Sequence, residues 1–189
     1  MSSHNHTIRF ATPADAETLA PLVRALNEYL DEDANRITPE ILRRDVLAEG
    51  SVHAVFVAEA ANGELVGYAL FHESFDTAEA ARGLYMADLF VSEAARGQGL
   101  GRALVAAVTG EAKRRGLEYV WWLSEDDDPK VHGFYGSLGA SQERFAAHAL
   151  TKEKFEELAQ EAGSAEGATG TKKESQEAGG AIPARATEE

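Results

Sequence analysis

Arg96-Gly97-Gln98-Gly99-Leu100-Gly101 lies between an apolar run, Leu84 to Val91, and a stripe of apolar residues at three- and four-residue spacing: Leu100, Leu104, Val105, Val108 and Ala112. The run reads as a strand and the stripe as the buried face of a helix. Lys113-Arg114-Arg115-Gly116 closes that helix, with cations at the negative end of its dipole and a glycine to stop it. A strand that turns through alternating glycines into a helix points successive backbone N–H groups into one concavity, and the helix dipole adds partial positive charge there. Such a concavity suits a pyrophosphate. Gly97, Gly99 and Gly101 remove the side chains that would block the approach, and Arg96 and Arg102 stand where charge-assisted contacts could be added. A dinucleotide site would need G-x-G-x-x-G after an early strand with an acid about 20 residues on, and a nucleotide P-loop would need Gly-Lys-Ser/Thr; neither pattern fits.

Upstream, Ile8 to Phe10 alternates as a strand and stops at Thr12-Pro13, a capping hydroxyl before a proline suited to the first helical position. Leu19, Leu22, Val23, Leu26, Tyr29 and Leu30 then mark one face of a helix, and Thr38-Pro39 opens a shorter one ending near Gly50. Val52 to Glu59 and Leu65 to Glu73 read as strands joined through Asn62-Gly63, a hairpin signal, and a polar stretch from Ser74 to Gly83 leads to the next strand. Downstream, Tyr119 to Leu123 predicts a strand, Asp128-Pro129 opens a helix that ends at Leu138-Gly139-Ala140, and Ala146 to Leu150 predicts a last strand. A helical turn or two from Thr151 to Ala159 follows. The expected organisation is a flexible N-terminus over 1–7, one domain over 8–160 and a disordered acidic tail over 161–189, where Gly, Ala, Ser, Glu and Lys replace large apolar residues.

The 189 residues, 44% hydrophobic, suffice for one sizeable core. A formal charge of −14 argues against nucleic acid and against anionic lipid, both of which need a positive face, and makes cationic substrates natural partners. There are no cysteines, which excludes disulfides, thiolate metal sites and a cysteine nucleophile. The start of the chain is polar and nowhere do about 18 apolar residues follow one another, so the expected location is cytoplasmic. No metal is expected: His4 and His6 sit on a terminus, and the acidic run Glu125-Asp126-Asp127-Asp128 has no partner ligands placed to complete a site, Asp128 being first of all a helix N-cap.

With these elements in order, Arg96 to Gly101 matches the R-x-x-G-x-G/A signature, and the chain resembles the GNAT superfamily of N-acetyltransferases. Within it, the chain is most similar to the diamine acetyltransferases of the spermidine/spermine type. That likeness runs through Ile8 to Leu30, Leu84 to Val91, Phe134-Tyr135 to Gly139-Ala140, and His148-Ala149-Leu150, over roughly residues 8 to 160. The resemblance implies an α+β (mixed α/β) acyl-CoA N-acyltransferase fold: a mixed central sheet splayed in the middle, between Leu84–Val91 and Tyr119–Leu123, with flanking helices. It implies acetyl-CoA as co-substrate. The backbone of Leu89, Phe90 and Val91 and the turn Arg96, Gly97, Gln98, Gly99, Leu100, Gly101 with Arg102 would hold it, and Asp128, where relatives carry Asn, would reach the pantetheine. A homodimer is also implied.

Direct attack by an amine needs orientation, a base for the ammonium proton and an acid for the departing thiolate, with no covalent intermediate. The resemblance makes Tyr135 the acid. Asp88 is the candidate base, with Glu73 and Asp76 as alternatives, because the diamine-type enzymes carry Glu-Asp where this chain has Ala87-Asp88. Glu28, Asp76 and the acidic stretch Asp31-Glu32-Asp33 favour a cationic acceptor. Trp121 and Trp122 point to opposite faces of their strand, so one packs in the core and the other borders the acyl or amine site; Trp122 is assigned to the substrate side. The expected activity is acetyl transfer from acetyl-CoA to a primary amine, a diamine or polyamine. An amino acid, aminoglycoside or protein amine, or a degenerate CoA-binding domain, are the alternatives.

Overall fold

The computed structural model describes residues 6–124 and 128–166; residues 1–5, 125–127 and 167–189 lie outside it, and with them His4, most of the acidic run at 125–128 and most of the expected tail. The chain separates into two compact units, Met1–Ser141 and Gln142–Glu189.

The first unit is built on a five-stranded sheet in the order β1 (Thr7–Phe10), β2 (His53–Glu59), β3 (Leu65–Asp76), β4 (Ala81–Val91), β5 (Tyr119–Trp121). Neighbouring strands are antiparallel except β4 and β5, which are parallel. That pair needs a crossover, and α3 (Leu100–Arg114) supplies it. Alternation along β2 and β3 gives the sheet two apolar faces. On one face Phe56, Ala69, Phe71, Leu84 and Met86 pack with Leu100, Leu104 and Val108 of α3. On the other, Val55, Val57, Tyr68 and Phe90 pack with Leu19, Ala20 and Val23 of α1 (Ala16–Tyr29) and with Leu42. Phe71 and Leu104 are fully buried, each contributing roughly 1.5–3 kcal/mol of hydrophobic stabilisation.

The start of α1 is fixed to the sheet by Arg9. Its guanidinium reaches Asp15 at 2.8 Å and Glu59 at 2.5 Å, while Asp15 also accepts the Thr12 N–H at 2.7 Å. These bonds, the Arg9 one foremost, hold the Asp15 carboxyl well below the usual carboxylate range. α2 (Pro39–Ile41) is capped by Thr38 Oγ1, which accepts the Ile41 N–H, and runs on as one wide π-turn over Leu42–Val46.

Three expectations change. The stretch from Ser74 to Gly83, read as a polar connection, is mostly ladder: Ser74 pairs with Gly83, Phe75 with Arg82 and Asp76 with Ala81. The turn is confined to 77–80, because Asp76 Oδ1 accepts the N–H groups of Ala78 (2.8 Å) and Glu79 (3.3 Å) and closes it locally. Ala146 to Leu150 forms no strand; three of its five residues are alanine, which gives an extended chain little side-chain surface to pack. In the second unit, α5 (Lys152–Glu166) runs well past Ala159, six residues into the stretch expected to be tail. No helix among the described residues is long and apolar enough to cross a membrane.

Candidate active site

The ladder between β3 and β4 slips at one point: Leu70 pairs with Asp88, and the next residue, Phe71, pairs with Met86. Ala87 is the extra residue of a β-bulge. A bulge breaks alternation. Leu84 and Met86 face α3 before it, Leu89 and Val91 face α3 after it, and Asp88 turns to the α1 face. At the same place the sheet opens. β5 pairs with Gly83 to Tyr85 and no further, so from Met86 to Val91 the outer edge of β4 has no strand beside it among the described residues. Backbone groups alternate along such an edge, and because the Ser92 N–H donates to the Val66 carbonyl, Phe90 bonds toward β3 while Leu89 and Val91 turn theirs to the open side.

Asp88 Oδ2 accepts a hydrogen bond from the Tyr68 hydroxyl at 3.0 Å. Burial raises the carboxyl's pKa above the usual range, and the Tyr68 bond offsets part of that rise. Tyr68 is 1% exposed, and burial together with the nearby Asp88 charge pushes its phenol pKa upward, so it stays protonated and serves as a donor. Among the described residues Asp88 thus has one hydrogen-bond partner, a neutral one, and it stands where the sheet opens.

Tyr135 sits on α4 (Pro129–Ser137), within the α3-side cluster. Its ring packs against Trp122 at 4.9 Å and Phe134 at 5.0 Å, and burial pushes the phenol up to about 12, so it holds its proton at neutral pH. Phe134 lies on the glycine turn: a Cβ at Gly101 would come within 3.1 Å of its ring. Turn and α4 are in this way packed together.

Gly97 (φ 74°) and Gly99 (φ 80°) adopt left-handed conformations, and a Cβ on either would point into open space. Gly99 caps α3, whose first N–H groups have no partner within the helix. The turn is exposed at Gly97, Gln98 and Gly99, while the Leu100 side chain is core and leaves its backbone alone for binding. Arg96 is exposed; its Nε donates to the Val91 carbonyl at 3.0 Å and its guanidinium lies 6.0 Å from the Phe90 ring. Arg102, also exposed, donates weakly to the Ser137 carbonyl at 3.4 Å. Open donors, absent side chains and two cations fit a pyrophosphate.

Other expected residues are engaged elsewhere. Asp128 has both oxygens occupied: Oδ1 accepts the Lys130 and Val131 N–H groups as an N-cap, and Oδ2 accepts the Tyr29 hydroxyl at 2.6 Å. Those bonds, Tyr29's first, hold its pKa down. Asp76 caps the β3–β4 turn, six residues along β3 from Leu70 and so roughly 20 Å from Asp88; it is not part of this site. Glu73 accepts from Arg115 at 3.2 Å, and Glu28 is exposed at the end of α1. Trp122 stands with Tyr135 on the α3 side, whereas Trp121 stands beside Tyr85, rings 4.7 Å apart, on the α1 side with Asp88. Sequence reasoning missed Tyr68, whose role depends on the cross-strand register, and Trp121. A signal for the bulge was present: the apolar alternation Leu84, Met86 shifts phase to Leu89, Val91.

The chain is similar to known proteins over most of its length. The model of a family described as Acetyltransferase (GNAT) family matches residues 19–140. Thialysine N-epsilon-acetyltransferase of Bos taurus is 32% identical over 141 residues, 70% of this chain and 82% of its own. Aminoglycoside N(6')-acetyltransferase type 1 of Stenotrophomonas maltophilia is 34% identical over 136 residues, 70% of this chain and 84% of its own. Among solved structures, an integron cassette protein from the mobile metagenome of V. cholerae superposes with a TM-score of 0.70 at 24% identity, covering 82% of this chain and 97% of its own. That likeness is one of fold.

Proposed function

The chain belongs to the acetyltransferase (GNAT) family, and from that premise we propose that it acetylates a small cationic primary amine, a diamine or polyamine, by direct attack in a ternary complex. The family's co-substrate, acetyl-CoA, supplies the acetyl group as an activated thioester. Arg96, the N–H groups from Gly97 to Gly101 and Arg102 would hold its pyrophosphate, and the β4 edge from Leu89 to Val91 its pantetheine. The observation that carries the acceptor side is Asp88, a half-buried carboxyl at the bulge with no ion-pair partner among the described residues.

Asp88 takes the proton that the amine sheds as its nitrogen bonds to the acetyl carbon. Tyr135 holds the proton that the sulfur takes as the carbon–sulfur bond breaks. Water then returns the proton from Asp88 to the phenolate; the reacting ammonium having first given one proton to solvent to free its lone pair, each turnover releases one proton, and charge and atoms balance. Asp88 faces α1 and Tyr135 belongs to the α3-side cluster, which suits an amine arriving on one side of the gap and a thiol departing on the other. The names of both relatives place the acetyl group on a nitrogen, which supports an amine acceptor. The formal charge of −14 favours a cationic one. An aminoglycoside is the second reading, favoured by the 34% identity to that acetyltransferase.

The catalytic unit we propose is residues 8–160, acting as a cytoplasmic homodimer; light scattering on the purified chain tests the dimer. The activity is tested by thiol release from acetyl-CoA across a panel of diamines, polyamines, amino acids and aminoglycosides. Release above the hydrolysis rate is expected with diamines first. No release with any amine contradicts the proposal.

A further inference from the structure

One row along the sheet from Asp88, on the same face, four rings stand side by side on four strands. His53 pairs with His72, His72 with Tyr85, and Tyr85 with Trp121. The ring centroids are 5.6, 5.3 and 4.7 Å apart in that order. The row is partly open, Trp121 being 43% exposed and Tyr85 intermediate. A further row beyond it pairs Ser74 with Gly83 and Gly83 with Tyr119. Gly83 has no side chain, and a Cβ there would overlap the Tyr119 ring, so that ring lies flat across the strand, with its hydroxyl 3.2 Å from Ser74 Oγ.

These rows make an aromatic floor that starts next to Asp88. Neither row holds a lysine or arginine, and in the row before them Asp88 is the only charged residue. The negative faces of phenol and indole rings attract an ammonium but give a carboxylate or phosphate nothing. We propose that Tyr85 and Trp121 form a subsite for the distal ammonium of a diamine acceptor whose other nitrogen reacts at Asp88. This assignment rests on the amine-acceptor reading above and names what would set its preference. Adjacent same-face rows are roughly 7 Å apart, the span of a diamine with about four or five carbons. A monoamine of the same length fills the same space without the cation over the rings. The subsite therefore distinguishes the two by charge.

The test compares kcat/KM for 1,4-diaminobutane and for 1-aminobutane in the full-length chain. Variants are Tyr85→Leu and Trp121→Leu, which keep bulk but lose the π face, and Tyr85→Phe and Trp121→Phe, which keep it. Thermal unfolding and acetyl-CoA binding by calorimetry are measured on each. The expected result is a fall of roughly tenfold in the diamine-to-monoamine ratio for each leucine variant, carried in the diamine KM, with the phenylalanine variants near wild type. An unchanged ratio in folded, acetyl-CoA-binding leucine variants overturns the subsite and leaves the acetyl-transfer reading in place. If the wild type acetylates neither amine, both fall together.

Discussion

At the scale of the residue, the proposed chemistry depends on two protons held in opposite senses. Tyr135 keeps its proton because burial penalises a phenolate. Asp88 is held between a burial penalty that favours the acid form and a Tyr68 hydrogen bond that favours the carboxylate. Tyr68→Phe removes only the second influence. The Asp88 pKa then rises further, and because the base must be ionised to work, the acid limb of the kcat/KM profile moves to higher pH. A profile that does not move shows that Asp88 is not the group titrating. Stability follows the same logic with its own sign. A carboxyl whose folded pKa is raised is tolerated best while protonated, so the chain loses stability as pH rises through that pKa. Asp88→Asn abolishes that loss, which denaturant titrations at several pH values would detect.

At the scale of the element, the proposal gives the positioning to strand β4 and the glycine turn. Gly99 sits at φ 80°, a conformation that costs an alanine about 1–2 kcal/mol, although a Cβ there meets no neighbour. Gly99→Ala is therefore expected to lower Tm by a few degrees and to weaken acetyl-CoA binding, because the backbone that presents the N–H groups is the part that must deform. Unchanged affinity in calorimetry would separate the turn from the ligand. The turn itself was legible in the sequence, since spacing of glycines and a helical stripe are local properties. So were the strands around it, through alternation. What was not legible came from pairing. The β3–β4 hairpin runs further than its polar composition suggested because Asp76 closes the turn with its own side chain. Alternation puts Trp121 and Trp122 on opposite faces, but the assignment of Trp122 to the substrate side does not follow from it: Trp121 shares the face of Asp88, which is set by a bulge on another strand. Asp128 was read correctly as a cap, but the Tyr29 hydroxyl that occupies its second oxygen is 99 residues away in the chain.

At the scale of the whole molecule, an acidic chain still needs local pairs to fold. Glu111 is buried on α3, and Arg114 above all, with Arg115, holds its pKa down from 4.5 to about 2. Stability from this group is present above pH 4.5 and lost as pH falls towards 2. Glu111→Gln is expected to destabilise the wild-type fold at neutral pH, and the difference should vanish at the acid end of that window; an equal difference at both ends would rule the ion pair out as its source. Charge and fold together lead back to the gap between β4 and β5, where a donor held by the glycine turn would meet an amine held beside Asp88. The most direct measurement is thiol release from acetyl-CoA with 1,4-diaminobutane, run side by side on the wild type and on Tyr135→Phe, with acetyl-CoA affinity measured for both. The account predicts release by the wild type, a fall of about 10²- to 10⁴-fold in kcat for the variant, and matching affinities. Equal turnover by the two proteins would contradict it, leaving Tyr135 a packing residue.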